Sequence, residues 1–317
     1  MVIDPLDLLT WHQPPPSPGP AAPDGAGPVL LHTLAGFVDA GGAARLAMQH
    51  LLEHLGPQRV ATFDVDLLFD YRARRPLMLL EADHWESYAD PVLAVDRLHD
   101  LGGRPFLLLH GPEPDVMWER FCAAVAHLVT TEQVRLTVGL SAIALAVPHT
   151  RPVSATVHGT RPGLTADHEP WLESVQVPAS AANLLELRLG GLGHDALGIA
   201  AHVPHYLGQG EFPGSAVVLL ETVERATGLR LPIDGLRDQA AATRAALDEQ
   251  VAGSEELTGV VRGLEQQWEA FQRAQGRPGL LDADLAQLPS GDELGSAFER
   301  YLAERADDGP PDAGTSA

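Results

Sequence analysis

The sequence predicts an α/β fold whose sheet is seeded by a strand–loop–helix–strand unit near its start. Three observations carry this. Residues 29–67 pass from an apolar run through a glycine-rich turn into a three-and-four periodicity, and then into alternation. Further short apolar runs, Phe106 to His110, Leu136 to Val147 and Ala196 to Val203, each end at Gly or Pro, as strands buried on both faces do. From Asp234 the apolar residues keep a rhythm of about 3.5 residues, which predicts a C-terminal helical extension.

In chain order, residues 14–28 form a proline–glycine loop that cannot pack. Val29 to Phe37 reads as a strand and Gly36 to Gly42 as its turn. Ala44, Ala47, Met48, Leu51, Leu52 and Leu55 then share one helix face. Asp39 can cap that helix through its carboxylate, and Gly56-Pro57 stops it. Ala61, Phe63, Val65 and Leu67 alternate with Thr62, Asp64 and Asp66, which predicts one half-buried strand. Asp70 to Pro76 is a polar turn carrying Arg72, Arg74 and Arg75, and these pair with nearby acids or hold phosphate. Leu77 to Leu80 and Val92 to Leu98 read as strands. Asp115 is expected to cap a helix whose Trp118, Phe121, Cys122, Val125 and Val129 share a face. Val177 to Leu189 reads as helix and turn, and Gly214 to Thr227 as a helix ended by Gly228. Leu247, Val251, Leu257, Val261, Leu264, Trp268 and Phe271 form the C-terminal stripe, with a turn near Gly253. Residues 290–305 hold one more amphipathic helix, and the closing ADDGPPDAGTSA is disordered by composition.

Composition excludes whole classes of function. The net charge of −22, from 43 acidic against 21 basic residues, repels phosphate backbones, so neither nucleic acid nor an anionic membrane is an expected partner. All 21 basic residues are Arg, which leaves no P-loop lysine and no Schiff-base lysine. The single cysteine, Cys122, reads as a buried structural thiol and excludes a disulfide framework or cysteine-based zinc sites. No run approaches twenty apolar residues, and the first residues lack a basic signal-peptide region, so a cytoplasmic location is expected.

Four polar loops each follow an apolar strand: Gly36 to Gly42, Gly111 to Asp115, Pro148 to Pro152 and Pro204 to Tyr206. Parallel strands would bring all four to one sheet edge, where α/β folds bind ligands. That edge would collect Asp39, Gly41, Glu113, Asp115, His149, Arg151, His205 and Tyr206 as candidate ligand-binding residues. Carboxylate, imidazole and guanidinium together can bind an anion or move a proton. The competing reading makes Asp39 and Asp115 helix caps. Flanking prolines stiffen Glu113, His149 and Arg151, and Arg151 is expected to bond Glu113 or another carboxylate. His202 and His205 show HxxH spacing without an acidic partner, so no metal is expected. GFVDAGG lacks the dinucleotide spacing, and no Gly-x-Ser-x-Gly occurs, so no cofactor is expected and no catalytic residue is assigned.

GFVDAGGA at 36–43, DYRARRP at 70–76, GPEPDVMWERF at 111–121, PHTRP at 148–152 and VPHY at 203–206 resemble the proteasome assembly chaperone 2 (PAC2) family, most closely its actinobacterial branch of unknown function. The resemblance spans residues 29–232. It implies a three-layer α/β/α sandwich with a mostly parallel central sheet, similar to nucleoside phosphorylases, and it implies a homotrimer. The expected organisation is an N-terminal segment (1–28), an α/β/α core (29–232), a C-terminal helical region (233–306) and a tail (307–317). Some relatives carry the label ATP-grasp, which a chain without lysine does not fit. Archaeal relatives engage proteasome rings through a hydrophobic-Tyr-any tail. Here the last residues are Gly-Thr-Ser-Ala and Tyr301 is internal, so that docking mode is not expected. The leading expectation is an assembly-chaperone-like protein acting through protein surfaces on itself and on another protein. The alternative is a nucleoside-phosphorylase-like enzyme or sensor, binding a small anionic or nucleoside ligand at the loop edge. A pocket where the edge residues converge would favour the second, and a filled edge the first.

Overall fold

Most of the apolar runs become strands, and the sheet they build is parallel at its centre and antiparallel at its flanks. The computed structural model describes residues 4–14, 27–36, 38–168 and 174–275, with backbone alone for residues 271, 272, 274 and 275. In order, the elements are β1 (Leu9–Trp11), β2 (Val29–Ala35), α1 (Ala43–His54), β3 (Gln58–Phe63), α2 (Val65–Leu68), β4 (Met78–Glu81), β5 (His84–Tyr88), β6 (Ala94–His99), β7 (Pro105–Pro112), α3 (Trp118–Thr131), β8 (Leu136–Leu145), β9 (Ala155–Gly159), α4 (Ala181–Gly191), β10 (Ala196–Pro204), α5 (Pro213–Thr227), α6 (Asp234–Ala252) and α7 (Glu255–Gln275). The main sheet runs β1-β3-β6-β7-β2-β8-β10-β9, and β4 and β5 form a separate hairpin. β7, β2, β8 and β10 are mutually parallel. The flanking pairs are antiparallel.

Side-chain alternation sorts the core into two layers, because successive strand residues point to opposite faces. Val29, Leu31, Phe106, Leu108, Val138 and Ile199 meet Ala47 and Leu51 of α1 and Ala216, Leu220 and Val223 of α5. Leu30, Leu107, Leu109 and Ala196 meet Phe121, Val125 and Val129 of α3 and Leu185 and Leu189 of α4. Helices thus cover both faces, which gives an α/β/α sandwich and explains why the central strands read as continuous apolar runs. Cys122 lies in the second layer, and burial pushes its thiol up to about 12.

Several expectations need correction. The alternation over Ala61 to Leu67 is not one strand: β3 ends at Phe63 and a helical turn, α2, follows. β3 runs the same way as β2 yet lies two strands away from it, beyond β7 and β6. Leu77 to Leu80 is extended as expected, but in a hairpin outside the main sheet, paired with β5. β1, β5 and β9 gave no sequence signal strong enough to read; β1 and β9 are short edge strands of the main sheet. The C-terminal stripe, expected as a helical extension with a turn near Gly253, packs on its own chain. α6 and α7 form a hairpin turning at Gly253, and Leu257, Val261 and Leu264 are buried within the chain, Leu264 being 2% exposed. Residues 290–305, the tail and the Phe271 side chain lie outside the described residues.

Candidate functional site

The four strands whose loops were grouped by sequence are adjacent and parallel, so their carboxyl ends share one edge. Among the described residues on that edge, the side chains are taken up by contacts within the chain. They fall into separate groups, the carboxylates on backbone and Arg74, and the β8 and β10 loop residues on one another and on the C-terminal hairpin.

The carboxylates act as backbone pins. Asp39 accepts the N–H of Ala44 at 2.8 Å and of Arg45 at 3.0 Å, satisfying free donors at the start of α1 across a left-handed Gly41-Gly42 turn. Gly41 (φ +64°) donates to Gly208 O and accepts from Phe212 N, both at 2.9 Å, which ties the β2 loop to the β10 loop. Glu113, 8% exposed, accepts the N–H of Ala181 at 2.6 Å and so pins the start of α4. Asp115 does not cap α3. It accepts the N–H of Asp70 at 2.7 Å and pairs with Arg74 at 2.7 Å, while α3 is entered through Met117 in a left-handed conformation. Arg74 also donates to Ala35 O and Glu113 O and lies over the Phe69 ring, clamping the ends of β2 and β7 together. Burial raises the Asp39 and Glu113 carboxyls, and the backbone N–H bonds partly offset it.

The β8 loop is held by the C-terminal hairpin. Arg151 donates to Glu265 at 2.9 Å and to Glu269 at 2.6 Å, and its guanidinium lies 5.8 Å from the Trp268 ring centre. Its partner is therefore another carboxylate and not Glu113. Thr150 donates its hydroxyl proton to the same Glu265 at 2.5 Å, and Arg244 donates to Thr150 O at 3.0 Å. His149 is buried. Its backbone N–H donates to the Tyr206 hydroxyl at 2.8 Å, its Nδ1 shares a hydrogen bond with that hydroxyl at 2.6 Å, and its Nε2 lies 3.4 Å from Asp248. Burial lowers the His149 imidazole against the pull of Asp248, and burial raises Tyr206. His205 stacks edge-on against Tyr206 at 5.4 Å and is lowered by burial.

His202 has different surroundings from His205. Ser154 Oγ lies 2.9 Å from its Nδ1 and Thr156 Oγ1 lies 2.8 Å from its Nε2. Ser154, His202, Arg151, Pro148, Pro204 and Trp268 line a crevice with about 10 Å³ of room, about enough for one water. Among the described residues no group of three or more His, Cys, Asp or Glu side chains is placed to hold a metal ion. Sequence reasoning missed Glu265 and Glu269, although their i, i+4 spacing was readable. It also missed Ser154 and Thr156, because β9 was not recognised as a strand.

Known proteins resemble this chain over most of its length. The model described as PAC2 family matches residues 33–251. A Mycobacterium tuberculosis protein of unknown function, Rv2714, is 44% identical, with 94% of this chain and 96% of that chain covered and a TM-score of 0.79. A Corynebacterium glutamicum protein of unknown function is 33% identical, with 86% and 99% covered and a TM-score of 0.78. The M. tuberculosis proteasome-assembly chaperone homologue Rv2125 is 26% identical, with 74% and 99% covered and a TM-score of 0.68. A comparison with curated proteins returns no match. No described helix is long and apolar enough to cross a membrane. With its family match extending over residues 33–251, the chain belongs to the PAC2 family.

Proposed function

We propose that this chain is an oligomeric, chaperone-like assembly factor that acts through protein surfaces, with further copies of itself as its first partners. The observation that carries this reading is the β4–β5 hairpin. Leu77, Met78, Leu79, Leu80, Trp85 and Tyr88 are all exposed, Leu77 at 79% and Trp85 at 63%. A lone two-stranded hairpin is marginal in water, and exposed apolar side chains on both of its faces mark a contact site. The filled loop edge supports the same reading, since its polar residues hold the chain together. Likeness to a proteasome-assembly chaperone homologue favours a role in assembling other proteins. The family resemblance suggests three copies. A charge of −22 per chain opposes association, so the contact must be apolar at its centre, with Arg–acid pairs at its rim.

Replacing Leu77, Leu79 and Trp85 together by Ser tests this. The expected result is loss of the oligomer with an unchanged melting transition of the monomeric fold. An oligomer of undiminished size would overturn the assignment of the hairpin as the contact. A client would be sought by capturing partners with the wild-type chain, using the triple variant as the control.

A further inference from the structure

The crevice beneath Trp268 holds the ingredients of a nucleophilic site. Ser154 is exposed immediately before β9, and its Oγ lies 2.9 Å from Nδ1 of His202 on the neighbouring β10. Thr156, two residues on and within β9, meets the opposite ring nitrogen at 2.8 Å, so the imidazole is fixed from both sides. The residue is 8% exposed, and burial brings the imidazole down to about 4, which keeps it neutral at neutral pH, with one ring nitrogen free of a proton, though it weakens the ring as a base. A serine hydroxyl bonded to a base, with a third group orienting that base, is the arrangement that activates a nucleophile. Among the described residues β9 is the last strand of the sheet, and the bonds of its ladder with β10 run through Ser154 O and Thr160 N–H. The alternation of an antiparallel ladder therefore turns the Ala155 N–H to the open edge, one residue after the serine, where it can donate to a developing oxyanion.

We propose that Ser154 and His202 form a nucleophile–base pair that cleaves small acyl esters reaching Ser154 from its exposed side, with Thr156 as a positioning residue and Trp268 as the wall that closes the crevice behind it to anything larger than one water. In the first step Ser154 Oγ bonds to the ester carbonyl carbon and its proton passes to His202 Nδ1. The carbon–oxygen bond to the alcohol breaks, and the leaving alkoxide takes that proton from His202. In the second step water attacks the acyl-serine. Its proton passes through His202 to Ser154 Oγ as the acyl–serine bond breaks, and a carboxylic acid leaves. The sum is ester plus water to acid plus alcohol. Arg151 on the crevice wall is already paired with both Glu265 and Glu269, so it lends the site no net positive charge, and uncharged esters such as p-nitrophenyl acetate are the substrates that suit it. This inference is independent of the self-association reading, since no step needs the hairpin.

The test treats the full chain with a fluorophosphonate probe and with p-nitrophenyl acetate, and maps the adduct by peptide mass spectrometry. The expected adduct is on Ser154. It is absent in Ser154→Ala, an exposed position where the substitution spares the fold, and slower by about 10²-fold or more in His202→Asn, the usual contribution of a general base. Trp268→Ala widens the crevice and is expected to raise the labelling rate. Thr156→Val should lower the rate and Thr156→Ser restore it. No adduct on Ser154 in either the wild type or Trp268→Ala overturns the proposal. So does labelling that proceeds equally fast in a folded His202→Asn. Either result leaves the oligomer measurement untouched.

Discussion

Replacing Glu113 separates a carboxylate that pins backbone from one that serves a ligand. Its Oε1 accepts the Ala181 N–H at 2.6 Å, in a site that is 8% exposed. Glu113→Ala leaves that N–H buried and unpaired, which costs about 1–3 kcal/mol. Glu113→Gln keeps an oxygen in place and removes the charge. Burial, the largest influence on this carboxyl, raises it above its ordinary value, with the Ala181 N–H and Arg74 acting the other way. A carboxyl raised in the folded chain binds its proton more readily folded than unfolded. Its contribution is fully present below the ordinary carboxylate value and is lost as pH rises through the raised one. At neutral pH the ionised side chain is therefore held at a cost, and Gln relieves it. Urea unfolding at pH 7 should show Glu113→Gln at least as stable as wild type and Glu113→Ala less stable, with equal slopes for all three. The advantage of Gln over Glu should shrink as pH is lowered through the raised carboxyl range. Equal destabilisation by Gln and Ala would refute the reasoning, because the charge and not the bond would then be what matters.

Three further outcomes follow from the same geometry. Leu264→Ala removes a side chain that is 2% exposed where α7 packs on its own chain, and should cost about 2–5 kcal/mol, with faster hydrogen exchange across α7; unchanged exchange there would contradict packing within the chain. Gly41→Ala forces a side chain into a left-handed turn (φ +64°) with its Cβ 2.9 Å from Phe212 Cβ, and should lower stability by at least about 1 kcal/mol in thermal unfolding. Asp39→Ala frees the Ala44 and Arg45 N–H groups and should cost about 0.5–2 kcal/mol, read by urea unfolding.

The central strands were legible because burial on both faces leaves a run that only apolar residues can fill, as in β7 and β10. The shared loop edge was legible for a related reason. Four such runs, each closed by Gly or Pro, imply parallel strands with their loops at one end. The fate of the loop residues was not, because it depends on contacts distant in sequence. Glu113 meets Ala181, and Arg151 meets Glu265 more than a hundred residues away. Asp115 shows the limit of local rules, since a capping residue in the right place was taken instead by Asp70 and Arg74. The C-terminal stripe gave its helices correctly but not its partner, because periodicity reports that a face is buried and is silent on what buries it. Strand β9 was missed because its short run, Ala-Thr-Val-His-Gly, keeps only partial contact with the core.

Size-exclusion chromatography with light scattering tests the surface-acting account most directly. The wild-type chain should elute as a particle of three times 33.8 kDa at micromolar concentration, and the Leu77, Leu79 and Trp85 triple variant as a single chain. A wild-type particle of 33.8 kDa under the same conditions would contradict it.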